Sequence, residues 1–166
     1  MADKLWGSGY KPEPAVGKFM INPNNCESSY KKALQKLQTA KNRTENAEYH
    51  LSSGNMFNWV CDEMKTALMW AMEAWLLAHG YSPDFGSGWG SMRMQFRKYA
   101  PENLYLKISD LLSRLNFLDV VLLGDPDIDW LPRWPIEKWK SEAHICLSDV
   151  KVIISKINED IISQIG

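Results

Sequence analysis

Hydrophobic residues recur along most of this chain at intervals of three and four. The clearest run is Asn58 to Gly80, with apolar positions at Trp59, Val60, Met64, Ala67, Leu68, Ala71, Ala74, Trp75 and Ala78, the spacing of one helix face. Met69, Trp70, Met72, Leu76 and Leu77 carry apolar character onto the other faces. A helix apolar nearly all round is a helix surrounded by others, so this stretch is predicted to be the central helix of a bundle. The surplus Met69, Trp70 and Met72 call for a further covering surface, from the N-terminal segment or a second subunit.

The same period predicts the neighbours. A first helix begins near Asn25 to Ser29, where Asn and Ser can cap it. Its seam is Tyr30, Ala33, Leu34, Leu37, Ala40, Thr44, Ala47 and Leu51. It stops at Ser52-Ser53-Gly54, with Gly54 in a left-handed conformation. The turn is so short that the first two helices must form an antiparallel hairpin. Residues 81–90 (YSPDFGSGWG) read as a loop, Ser91 to Tyr99 as a short helix, and Pro101-Glu102 as the opening of a fourth helix. Leu104, Ile108, Leu111, Leu112, Leu115, Leu118, Val121 and Leu122 form its seam, and Gly124 ends it. After a Pro-rich connection, 124–135 (GDPDIDWLPRWP), the last helix runs from about Ile136 to Ile165. Its predicted stripe is Trp139, Ala143, Cys146, Leu147, Val150, Ile153, Ile154, Ile157, Ile161 and Ile162.

No segment alternates convincingly with period two. The expected fold is all-α, an antiparallel four-helix bundle with one extra short helix. It occupies 25–166 as a single domain, and an irregular segment, 1–24, packs on the bundle or on a partner.

Composition narrows the setting. A length of 166 residues suits one hydrophobic core. The net charge of −1 provides no global field for nucleic acid or anionic membrane. Asp62, Glu63, Lys65 and Glu73 keep the central stretch out of a bilayer, at about 3 kcal/mol for each charge in hydrocarbon. Cys26, Cys61 and Cys146 are odd in number and lack CxxC spacing, which points to the reducing cytoplasm and to no zinc site.

Candidate chemistry is sparse. Asp125, Asp127 and Asp129 alternate like the start of a calcium loop, but that loop wants Gly and Glu where Trp130 and Ile136 stand. No metal and no cofactor are expected, and turn-forming aspartates are the plainer reading. Beside them lie Trp130, Arg133 and Trp134, a group able to stack on a base or a partner chain, or to plug the bundle end. Arg43 and His50 have six residues between them on the first helix, which puts them on one face. His79 and His144 stand near helix ends without sequence neighbours that suggest a triad or a ligand set. The glycines of the 81–90 loop match no phosphate-binding pattern.

The order of parts resembles the HEPN domain (higher eukaryotes and prokaryotes nucleotide-binding). The resemblance is carried by KALQKLQTAKNRTENAEYHLSSGNMFNWVCDEMKTALMWAMEAWLLAHGYSP, a following helix, and the RWP turn at 133–135 before the last helix. It spans roughly residues 28 to 160. Catalytic members are ribonucleases with R-x(4–6)-H late in the domain. Here Arg133 and His144 have ten residues between them, while Arg43 and His50 have the spacing but lie on the first helix. The resemblance therefore implies a non-catalytic binding or regulatory module. Such a module is often a homodimer or the partner of a small nucleotidyltransferase, with a nucleotide or RNA as ligand. The alternative it implies is a toxin-like ribonuclease with a degenerate motif, using Arg43, His50 or His144.

Overall fold

The computed structural model describes residues 23–54, 56–86, 88–123 and 134–165, with side chains from Ser28 to Gln164. Among them are five helices and no strand: α1 (Pro23–Ser53), α2 (Phe57–Ala78), α3 (Trp89–Tyr99), α4 (Glu102–Leu123) and α5 (Ile136–Ile165). The all-helical expectation holds in this form. Helix α1 starts slightly earlier than its polar caps suggested, at Pro23, a residue suited to a first helical turn. The expected N-terminal drape, residues 1–22, lies outside the described residues.

Helix α2 touches each of the other four helices, while α1 and α4 share no contact among the described residues. The bundle is thus rhombic, with α2 and α5 as the inner parallel pair and α1 and α4 outside. This accounts for the apolar breadth of α2, whose Met72 and Leu76 are fully buried along with Val60, Met64 and Leu68. The α1–α2 hairpin is held by a heptad of small residues. Ala33, Ala40 and Ala47 alternate with Leu37, Thr44 and Leu51, all buried. Two cross-helix ion pairs, Arg43–Glu63 at 3.2 Å and Lys36–Glu73 at 3.3 Å, fix the antiparallel register. That register brings Ala40 level with Ala67 and Ala33 level with Ala74. Alanine facing alanine lets the two backbones approach closely.

Termini follow local chemistry. Gly54 has φ 73°, and Met56, the residue before α2, also adopts a left-handed φ of 57°. At the other end of α2, Gly80 N–H donates to the Leu77 carbonyl and Tyr81 N–H to that of Leu76. This pair of bonds defines a Schellman stop, closed by Tyr81 against Trp75.

Two positions depart from the periodic reading. Trp59 is 48% exposed and Ile162 is 52% exposed, although both fall on apolar stripes. Each neighbours a fully buried residue, Val60 and Ile161 respectively, which takes the inward position and leaves it about 100° round the helix, on the solvent side. Conversely Glu73, a charge in the second half of α2, is only 5% exposed.

Candidate functional site

Helices α4 and α5 run antiparallel, and the groove between their outer faces collects the polar chemistry of the molecule. Arg114 and Asp149 set its register, with Nη1 2.9 Å from Oδ2. Arg114 also reaches Asp110 at 3.7 Å. The hydrogen bond to Asp149 holds the guanidinium pKa above its ordinary value. One heptad from this pair on each helix, Lys107 and Lys156 come together. The Lys156 amine, close enough for a hydrogen bond and carrying the same charge, pushes the Lys107 pKa down. Both lysines line a cavity of about 510 Å³ with Asn103, Leu104, Ile153 and Asp160. An adjoining hollow of about 290 Å³ carries the groove on to Arg114 and Asp149.

Towards the start of α5 the groove becomes aromatic. Trp134 N–H donates to the Val121 carbonyl at 3.0 Å, anchoring the chain on α4 just before α5 begins. Its ring meets Phe117 edge-on, centroids 5.5 Å apart, and Lys138 Nζ lies 4.2 Å from the indole centroid. A cleft of about 260 Å³ lies here, lined by Phe117, Trp134, Arg114, Ser113 and Glu142. An aromatic wall beside a guanidinium can hold a planar, electron-rich ring.

Of the residues singled out from sequence, Trp134 alone belongs to this groove among the described residues. Asp125, Asp127, Asp129, Trp130 and Arg133 lie outside the described residues. Arg43 is engaged by Glu63 across the hairpin. His50 packs edge-on against Tyr49 and Trp59 at the bundle end. His144 is exposed on α5, where its charge helps Lys151 lower the Glu48 pKa. No described hydrogen bond or ion pair joins Arg43, His50 and His144.

Two further titratable clusters are structural. His79 Nδ1 lies 2.8 Å from the Trp75 carbonyl oxygen. Its Nε2 lies 3.2 Å from Asp160 Oδ2, which also accepts from Trp75 Nε1 at 3.1 Å. The cluster ties the end of α2 to the end of α5. Cys61 and Cys146 are buried free thiols, and burial pushes both pKa values up. They are held as thiols, the unreactive form. Among the described residues no three His, Cys, Asp or Glu side chains group as a metal site, and no helix is long and apolar enough to cross a membrane.

Sequence reasoning missed Lys107, Arg114 and Lys156, because each alone is an ordinary surface cation. The available signal was heptad spacing, Lys107 to Arg114 on α4 and Asp149 to Lys156 on α5. Reading it requires the pairing of the two helices. Comparison of the chain with protein-family models, with curated proteins and with solved structures gives no match in any of the three.

Proposed function

We propose that this chain is a non-catalytic helical binding or regulatory module of the HEPN kind, with a nucleotide as its ligand. The reading is carried by one observation: Trp134 stands edge-on to Phe117 beside Arg114, in an open cleft between α4 and α5. A base stacked there would gain about 1–3 kcal/mol from the aromatic surface. Arg133 immediately precedes Trp134 in the sequence. The engagement of Arg43 with Glu63 and of His50 with aromatic neighbours favours binding over catalysis at those positions. The module works as a homodimer or beside a small nucleotidyltransferase, as the family resemblance implies.

The test is a tryptophan fluorescence titration with nucleoside mono- and triphosphates, comparing wild type with Trp134→Leu. A saturable change in the wild type that is lost in the variant supports the reading. Equal responses in the two proteins, or none at millimolar ligand, would end it. RNA cleavage abolished by His50→Ala or His144→Ala would replace it with the ribonuclease reading.

A further inference from the structure

The α4–α5 interface brings two like charges together, Lys107 and Lys156. Ion pairs join the helices elsewhere among the described residues: Arg43–Glu63, Lys36–Glu73, Lys65–Asp119, Lys151–Glu48 and Arg114–Asp149. The register that satisfies Arg114 with Asp149 necessarily faces Lys107 with Lys156, since each lies one heptad further along its helix. No ion pair to a carboxylate within 4 Å is formed by either lysine among the described residues.

The surroundings suit an incoming anion better than an internal partner. Asp160, a carboxylate lining the hollow, is held by Trp75 Nε1 and His79. Asp149 and Asp110 are held by Arg114. Glu159 also lines the cavity and forms no ion pair within 4 Å among the described residues. Ser163 is no donor to a ligand, because its hydroxyl donates to the Asp160 carbonyl at 2.7 Å. Asn103 adds a neutral amide. Two ammonium groups with three donors each, lining one open hollow, form a point-charge site for a multiply charged oxyanion.

We infer that Lys107 and Lys156 form a binding site for a phosphate group, in the groove between the first half of α4 and the second half of α5. The phosphate would stand between the two ammonium groups and supply the counter-charge that neither lysine has within 4 Å among the described residues. The site does not depend on the Trp134 cleft. Phe117 is ten residues from Lys107 on the same helix, about 15 Å along the axis, so a mononucleotide seated on Trp134 would not reach it.

NMR titration at constant ionic strength tests this, observing backbone amides and lysine side-chain carbons. The probes are inorganic phosphate, pyrophosphate and a nucleoside monophosphate, with chloride as the blank. The expected result is saturable shifts at Lys107 and Lys156 with millimolar affinity, tighter for pyrophosphate. Affinity should fall at least tenfold in Lys107→Ala/Lys156→Ala. Both positions are exposed, so the variant should fold, and an unchanged amide spectrum elsewhere verifies this. If inorganic phosphate saturates the site as well as the nucleotide does, the group alone is the ligand. If the nucleotide binds more tightly without shifting Trp134, the phosphate belongs to a larger molecule.

The inference is overturned by shifts equal at Lys98 and other surface lysines, or by binding retained in the double variant. A dimer that the double variant dissociates and phosphate does not would also overturn it, because a second copy's carboxylates would then be the counter-charge. The nucleotide reading of the Trp134 cleft fails separately, since Trp134→Leu should leave the phosphate titration unchanged.

Discussion

Lys36 on α1 and Glu73 on α2 meet at 3.3 Å, and Lys36 also lies 4.4 Å from the centre of the Trp70 ring. The Glu73 side chain is 6% exposed and its second oxygen, Oε2, has no hydrogen-bond partner among the described residues. Burial raises the carboxyl pKa and Lys36 counters it only in part. Lys36→Met should therefore destabilise the fold by about 1–3 kcal/mol, below the full cost of an orphaned buried charge because the lysine is itself a third exposed. Lys36→Met/Glu73→Leu should recover most or all of that loss. Urea denaturation of the three proteins decides it, and a double variant no better than the single one would contradict the account.

The same carboxyl sets a pH dependence. Its folded pKa lies above the ordinary value of 4.5, so the folded state binds the proton more readily than the unfolded chain does. Glu73 costs stability while ionised, and that cost is relieved as pH falls through the folded pKa towards the ordinary one. Relative to Glu73→Gln, the wild type should gain stability on acidification across that window. Thermal melts of both proteins between neutral pH and pH ~4.5 would show the gap narrowing; a constant gap would refute it.

Met56 holds a left-handed φ of 57° in the α1–α2 turn and is 46% exposed. A side chain costs about 1–2 kcal/mol there relative to glycine, partly offset by the greater freedom of an unfolded glycine. Met56→Gly should stabilise the protein by about 0.5–1 kcal/mol and Met56→Ala should not. Equal effects of the two in chemical denaturation would show that the turn carries no such strain.

Lys156→Glu should replace the like-charge contact with Lys107 by an ion pair. The Lys107 pKa is depressed in the folded state, so the protonated pair costs stability at neutral pH. Relief should give a few tenths of a kcal/mol, the scale of exposed pairs, with a larger gain at low salt than at high salt. Melting temperatures at two ionic strengths supply the check.

Trp139 is wholly buried, and its Nε1 donates to the Leu118 carbonyl at 2.8 Å, joining the first turn of α5 to the last turns of α4. Trp139→Phe keeps an aromatic ring against Phe57 but removes the hydrogen bond and leaves a small void. A loss of about 2 kcal/mol is expected, measurable by denaturation. A loss below 0.5 kcal/mol would mean that the bond is replaced by water (~1 kcal/mol being its usual worth).

The sequence by itself determined the helices and most of their buried faces. Three-and-four spacing, Gly54, the Gly80 stop and the Pro101 opening are local properties, and helix geometry converts them directly into a stripe of Ala, Leu and Ile on one side. It also fixed α2 as the central helix, since a helix apolar on every face has no stable position at the rim of a bundle. Tertiary structure alone decided how far each face is covered and which residues stand opposite one another. Trp59 and Ile162 lie on their stripes yet are about half exposed beside the fully buried Val60 and Ile161, while Glu73 breaks its stripe and is buried. The meeting of Lys107 with Lys156 depends on how α4 slides along α5. That register is set by the summed packing of residues more than thirty positions apart, and no local pattern in either helix encodes it.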